Sequence, residues 1–398
     1  MIGRNQTSCT PREELYQRIE RFQKHLRTAD IQAALVVQKA DLFYFSGTCQ
    51  DANLLIPAQG EPLLMVRKSF ERALEDSALD KIVAVRGFKD IRDGIAKIIK
   101  GKGRIGLELD VLPANLFFRY QEMLEPLEII DASGAIREIR TIKTPYEIGC
   151  LKESARVTYE MFNEIPNLIK EGMTEKELSG RLELFMRSKG NQGLPRVRAF
   201  NQELGDQILS GWNSAYPSFF DGPTGGIGLG PSFPQGSSFK AIGRHEPILV
   251  DFVAVINGYL VDHTRIFSIG SLSDKLTAAH NTALEIKRRI VQEAKPGANG
   301  KELYDLALSL AQRSEFADHF MGYGKSLNFV GHGVGLELDE LPVIAKNHRI
   351  SLQPGMVFAL EPKFIFPGEG TVGIEDTFVL TQSGLEQFTT LDDSIRIL

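Results

Sequence analysis

The feature that most constrains this chain is a set of four carboxylates embedded in apolar β-type sequence. The segment PILVDFVAVINGYLVDHTRIFSIG, Pro247 to Gly270, places Asp251 and Asp262 in two runs rich in Val, Ile and Phe, on either side of Asn257-Gly258. Asn-Gly between two such runs is a strong hairpin signal, because both central residues of a tight two-residue turn need positive φ. The segment MVFALEPKFIFPGEGTVGIEDTFVLT, Met356 to Thr381, reads as a second pair of strands around a Pro-Gly turn and carries Glu361 and Glu375. A carboxylate inside an apolar strand is costly unless it is paired or bound to a metal. No lysine or arginine recurs beside each of the four, so the pattern points to bound cations. For any single acid the plainer reading is an edge-strand residue facing solvent. Four in matching places argue against that reading.

The matching places belong to an internal repeat. IKEGMTEKELSGRLE, Ile169 to Glu183, resembles AKPGANGKELYDLAL, Ala294 to Leu308. Each reads as a helix end, a glycine turn and a new amphipathic helix, and each precedes one acid-bearing hairpin. The half from about Lys143 onward therefore reads as two related α/β units, with a site at their shared axis. Between the hairpins lies GHGVGLELDELP, Gly331 to Pro342, in which His332 stands between two glycines. Glycines there let the backbone approach another element and let the imidazole reach inward. A lone histidine is more often a hydrogen-bonded core residue, but its position between two acid-bearing hairpins favours a ligand. Four carboxylates and one imidazole suit two divalent ions, with hard oxygen ligands favouring manganese, iron or cobalt, and zinc also compatible. Two such ions can activate a shared water and stabilise the oxyanion formed after its attack.

The chain has 398 residues, which is long for one core. Its first part alternates helix and strand signals. EELYQRIERFQKHLRTADI has helical spacing, AALVV and NLLIPAQGEPLLMV read as strands, RKSFERALEDSA as a helix, KIVAV as a strand, IRDGIAKIIK as a helix and RIGLELD as a strand. The fold class is α/β (α+β), with an N-terminal domain over residues 1–142 and a C-terminal domain over 143–398. The long stretch IREIRTIKTPYEIGCLKESARVTYEMF reads as continuously helical. GKGRIG, Gly101 to Gly106, fits the dinucleotide pattern G-x-G-x-x-G, but a helix precedes it and a strand follows, the reverse of what that pattern needs. The net charge of -5 and the lack of a basic block argue against nucleic acid. Three scattered cysteines, Cys9, Cys49 and Cys150, argue for a reducing compartment, and no apolar run approaches a membrane span. The polar start shows no apolar leader, so the chain is expected in the cytoplasm, and the sequon Asn5-Gln6-Thr7 is then a chance match.

At this point the residues resemble a known family. VDFVAVINGYLVDHTRIF, GHGVGL, LEP and IEDT look like the motifs of the pita-bread metallopeptidases, which include aminopeptidase P, prolidase and methionine aminopeptidase, with creatinase as a non-metal relative. DLFYFSGT and RKSFERALEDS resemble the creatinase/prolidase-type N-terminal domain, which methionine aminopeptidases lack. The resemblance implies a creatinase-like α/β domain followed by a pita-bread domain with a pseudo-two-fold repeat. It implies that Asp251, Asp262, His332, Glu361 and Glu375 hold two metal ions, with Asp262 and Glu375 bridging. It also implies that Glu361 is general base to the attacking water, and that the substrate is a small peptide or amide cleaved before proline. A homodimer is expected from the resemblance alone.

Several positions depart from the family's pattern. Asp339 stands where a second histidine is usual, Ser218 in SGWNSAYPS where another is usual, and Gly373 where an arginine is common. An aspartate donates no hydrogen bond unless protonated. Asp339 is therefore a candidate catalytic residue with altered chemistry, and Ser218 a candidate substrate contact. Trp212 and Tyr216 could wall the pocket or simply pack. The glycine-rich segment from Phe219 to Lys240 reads either as a surface loop or as a wall of the site mouth. His263 should face away from Asp262. Arg265 could pair with a ligand carboxylate or cap a strand end, and His245 in GRHEP reads as solvated. Three functions compete: an Xaa-Pro exopeptidase; another C–N hydrolase or a lyase on the same scaffold, with Asp339 as base; and a catalytically silent binding module, which complete metal ligands argue against.

Overall fold

The computed structural model describes residues 9–198 and 200–398. The sequon at Asn5 lies outside the described residues. The chain separates into two compact units, Met1–Arg140 and Thr141–Leu398.

The first unit is built on a six-stranded sheet of β1 (Ala33–Val36), β2 (Asp51–Pro57), β3 (Leu63–Lys68), β4 (Ile82–Ala84), β5 (Arg104–Leu107) and β6 (Glu128–Asp131), in the order β4-β3-β2-β1-β5-β6. β1 and β2 are antiparallel, whereas β1–β5 and β5–β6 are parallel, with helices between the parallel strands. Ala33, Leu35, Leu55, Met65, Ile105 and Leu107 bury one face of this sheet against helices 88–96 and 114–124. Gly101 to Gly103 joins helix 88–96 to β5, in which Arg104 to Gly106 already lie, so a helix does precede and a strand does follow. The stretch expected as one long helix is two, Ser133–Thr141 and Pro145–Leu168. Proline at the first helical position and a reciprocal pair between Thr144 and Glu147 start the second helix afresh.

The second unit contains β7 (Gln207–Ser210), β8 (Ile248–Ile256), β9 (Tyr259–Ser268), β10 (Phe329–Gly333), β11 (Glu340–Ala345), β12 (Val357–Leu360), β13 (Lys363–Phe366), β14 (Gly370–Gly373), β15 (Asp376–Thr381), β16 (Gly384–Gln387) and β17 (Arg396–Ile397). One sheet runs β17-β9-β8-β7 and another β11-β10-β12-β15-β16. The β8–β9 hairpin turns at Asn257-Gly258, with φ of 52° and 84°, as the sequence requires.

The repeat is visible in the hydrogen bonds. Helices Pro145–Leu168 and Glu175–Ser188 mirror helices Asp274–Glu293 and Gly300–Gln312. In the first half Gly172 N donates to Ile242 O at 2.9 Å and Ile242 N to Met173 O at 2.8 Å. In the second half Gly297 N donates to Leu352 O at 2.8 Å and Leu352 N to Ala298 O at 2.8 Å. Nine residues beyond Ile242 comes Asp251, and nine beyond Leu352 comes Glu361. The pseudo-symmetry thus delivers one carboxylate from each half to the same place.

A candidate metal centre with a lysine inside it

Asp251 and Asp262 point from one face of the β8–β9 hairpin. Asp251 pairs with Thr264, and Asp262 lies two residues before Thr264, so the strand's alternation puts all three on one side. The two glutamates are not inside strands, contrary to expectation. Glu361 lies where β12 gives way to β13, and Glu375 where β14 gives way to β15. At these breaks the ribbon leaves one sheet, with β12 paired to β15 and β13 to β14. Glu375 then bridges to β9: Thr264 N donates to Glu375 O at 3.1 Å and Glu375 N to Thr264 O at 3.3 Å. Thr264 Oγ1 also donates to Glu375 Oε2 at 2.9 Å. The switch of sheets brings the second hairpin's acids against the first hairpin's acids.

His332 enters from β10, between β11 and β12. A Cβ on Gly331 would sit 2.4 Å from Ala359 O, and one on Gly333 2.4 Å from Leu341 O. The two glycines are therefore spaces for neighbouring backbone, which lets the strand lie close enough for the ring to reach inward. His332 Nδ1 is 2.9 Å from Leu338 O, a carbonyl that can only accept, so Nδ1 carries a proton and Nε2 faces the acids. From Nε2 it is 4.0 Å to Asp262 Oδ2, 3.8 Å to Glu361 Oε1 and 3.7 Å to Glu375 Oε1. These are too long for hydrogen bonds. They suit atoms sharing one ion, since two ligands each ~2.1 Å from a metal lie at most about 4.2 Å apart. Asp262 Oδ1 and Glu375 Oε1 are buried without a hydrogen-bond partner. Buried polar atoms left in this way are costly, and a cation would satisfy them. One ion fits the residues present.

No lysine or arginine recurs beside each of the four acids, but a single lysine, Lys363, meets three of them. Its Nζ donates to Asp251 Oδ2 at 3.0 Å, Glu361 Oε2 at 3.0 Å and Glu375 Oε2 at 2.8 Å. The sequence did carry a signal: Lys363 lies two residues after Glu361 in an apolar run, and Pro362 alone separates them. Arg265 is not a partner of these acids' carboxylate oxygens. It reaches Asp376 at 2.7 Å and donates to the backbone oxygen of Glu375 at 3.0 Å.

Burial raises the Asp251 and Asp262 carboxyls above their ordinary values. Burial also pushes Glu361 up to about 7, partly offset by the Lys363 charge. Burial would raise Glu375 too, but the Lys363 ammonium and the His332 ring hold it down to about 2. Burial opposes charge on His332, yet Glu375, Glu361 and Asp339 lift it well above the usual imidazole value. Without an ion the acids favour a proton on Nε2, and a divalent ion would take that proton's place. His263 is fully buried on the opposite face, as its position predicts, and desolvation lowers it to about 4. His245 is exposed, with Nδ1 2.9 Å from Ser271 O.

Asp251, Asp262, His332, Glu361, Glu375 and Asp339 line one cavity of about 130 Å³. Asp339 is exposed at its edge. Trp212, Tyr216 and Ser218 are not brought to this cavity; they line a neighbouring open groove of about 1260 Å³. Phe220, Asp221, Gly222, Pro223 and Phe329 border both. The start of the glycine-rich segment is thus the wall between them. Beyond it, residues 224–226 and 235–238 are buried, whereas Ile227, Leu229 and Phe239 are exposed. Ser238 is buried and donates to Glu175 Oε2 through its backbone N at 2.9 Å and its hydroxyl at 2.8 Å.

Comparison with known proteins gives the family and the fold. The model of metallopeptidase family M24 matches residues 149–382, and that of the creatinase/prolidase N-terminal domain matches residues 18–142. An Xaa-Pro dipeptidase of Pyrococcus furiosus is 28% identical over 94% of this chain and 97% of its own length. An Xaa-Pro dipeptidase from Bacillus anthracis superposes with a TM-score of 0.83 at 28% identity, over 96% of this chain and 100% of that one. An X-Pro aminopeptidase from Thermotoga maritima gives 0.80 at 27% identity, over 96% and 99%. No described helix is long and apolar enough to cross a membrane. The fold is the pita-bread fold behind a creatinase-type domain, and the chain belongs to metallopeptidase family M24.

Proposed function

We propose that this metallo-exopeptidase hydrolyses the bond before proline in Xaa-Pro dipeptides or in longer peptides that begin Xaa-Pro. The observation that carries the reading is the convergence in one cavity of His332 Nε2 with Asp262 Oδ2 at 4.0 Å and Glu375 Oε1 at 3.7 Å, while Asp262 Oδ1 and Glu375 Oε1 are buried without a partner. Similarity over nearly the whole length to proteins described as Xaa-Pro dipeptidases supports the substrate class. A divalent ion there, manganese by the hardness of the donors, supplies Lewis acidity and a more acidic water. Asp262, His332 and Glu375 would hold it, with Glu361 Oε1 beside them.

The chain's own residues do the rest. Glu361 keeps Oε2 on Lys363 and leaves Oε1 for a proton. A carboxyl raised to about 7 is matched to general-base work near neutral pH. The wall at Phe220–Pro223 limits the cavity, which favours a short substrate end, while the groove with Trp212, Tyr216 and Ser218 offers room for residues beyond the cleaved bond. The expected two-ion form would need Lys363 to leave its three carboxylates. An odd number of scattered cysteines supports a cytoplasmic site of action, and the family resemblance supports a homodimer.

The test is a release assay on manganese-loaded protein with Xaa-Pro dipeptides and longer Xaa-Pro peptides, and Asp262→Ala as the inactive control. Metal-dependent release of the first residue is expected, and preference for one length separates dipeptidase from aminopeptidase. No release from any peptide, with metal bound, would reject the reading. A second reading then gains ground, a different C–N hydrolase or a lyase. Asp339 favours it, because a carboxylate stands in the cavity where the peptidases usually present a histidine. On that reading Asp339→Ala abolishes turnover of the true substrate.

A further inference from the structure

We propose that the ammonium of Lys363 permanently fills one of the two cation positions in the carboxylate cluster, so that the chain binds a single divalent ion. The inference rests on the metal-binding reading above and specifies its stoichiometry.

A lysine ammonium has three protons and no acceptor capacity. Here each proton meets a different carboxylate, at 2.8–3.0 Å, the range of charge-assisted hydrogen bonds. Lys363 is 1% exposed, so nothing in solvent competes for it. A divalent ion among the same oxygens needs them at about 2.0–2.2 Å, which leaves no place for a nitrogen. The lysine also divides the two glutamates. It takes Oε2 of Glu361 and of Glu375, and leaves Oε1 of each within 3.8 Å of His332 Nε2. The partnerless oxygens, Asp262 Oδ1 and Glu375 Oε1, remain on residues that group with His332. One position is saturated and the other is open.

The fold makes room for this lysine. β13 and β14 pair Lys363 directly with Gly373. A Cβ on Gly373 would lie 2.6 Å from Lys363 Cα and 2.8 Å from its Cγ, and the glycine's φ of +156° is one that other residues rarely adopt. The bare backbone at 373 lets the lysine stem pass inward. Lys363 is a positioning residue, since all its protons are engaged by protein oxygens and none is left for substrate.

The test counts ions. Full-length protein is equilibrated with excess manganese, freed of unbound metal, and measured by plasma mass spectrometry and calorimetric titration. One ion per chain is expected in the wild type and two in Lys363→Gly. If that variant does not fold, anomalous scattering from wild-type crystals grown in manganese decides, with one peak beside His332 and Nζ still on its three carboxylates. Two ions in the wild type, or one in both proteins, overturn the inference and leave the metallopeptidase reading standing. No ion in the wild type overturns both together.

Discussion

Asp376 follows Glu375 in the chain but faces the other way, because β15 alternates its side chains. It is fully buried, and it accepts from Arg265 Nη2 at 2.7 Å and Lys287 Nζ at 2.8 Å. Burial would raise its carboxyl, but the two cations hold it below the usual range. Removing one member of a buried ion cluster leaves uncompensated charge, at about 3–5 kcal/mol. Asp376→Ala should therefore lower the unfolding free energy read from urea denaturation by an amount of that order, and a loss under 1 kcal/mol would mean that solvent reaches the two cations. Tyr120 supplies a pH prediction in the first unit. Its hydroxyl donates to Asn53 Oδ1 at 2.7 Å, and burial, with the Glu108 charge second, pushes the phenol up to about 12. The unfolded value is about 10, so between those limits the unfolded chain has lost a proton that the folded chain keeps. Stability from this group is complete below about pH 10 and falls as pH rises toward 12, by roughly 2–3 kcal/mol in all. Denaturation curves at pH 9 and pH 11 should show Tyr120→Phe losing less stability than the wild type. An equal loss would show that Tyr120 titrates normally.

At the scale of strands, the close approach of β10 to β12 is what Gly331 permits. Gly331→Ala puts a methyl 2.4 Å from Ala359 O, so the strands must part. About 1–3 kcal/mol of stability should be lost, with weaker manganese binding because His332 is the next residue. Gly149→Ala is the matched control. It lies inside helix 145–168 with nothing near its would-be Cβ, and should stabilise by about 0.5–1 kcal/mol. Calorimetry on the two variants separates packing from propensity, and a Gly331→Ala protein as stable as the wild type would reject the argument. This level of structure was largely legible in the sequence. Asn257-Gly258 forced a hairpin, the glycine turns before Met173 and Ala298 marked the repeat, and the glycines around His332 marked a close approach. The break at Glu361-Pro362 was not legible, because an apolar run with one proline reads the same whether the ribbon stays in its sheet or crosses to another. Lys363 was visible as a residue but not as a neighbour of Asp251, which lies 112 residues away in the chain and arrives only through that crossing. Whether Trp212, Tyr216 and Ser218 meet the metal cavity was not legible, because sequence offers no way to see that Phe220–Pro223 stands between.

At the scale of the molecule, metal and fold are linked by mass action. The ligands come from β9, β10 and the break between β14 and β15, so the site exists only when both halves of the second unit are assembled. An ion that binds the folded form alone stabilises by about 2.7 kcal/mol at a concentration one hundred times its dissociation constant. At roughly 2–4 °C per kcal/mol for a unit of this size, the midpoint should rise by about 5–10 °C. Trp212 is the only tryptophan and sits directly after β7, whose Gln207 pairs with Asp251. Its fluorescence therefore reports melting of the unit that holds the site. Manganese should raise the Trp212 midpoint in the wild type and leave it unmoved in Asp262→Ala, which removes one of the partnerless oxygens. An equal rise in both proteins would place the ion elsewhere, and no rise in either would mean that the cluster is held by its own lysine and histidine and takes no metal at all.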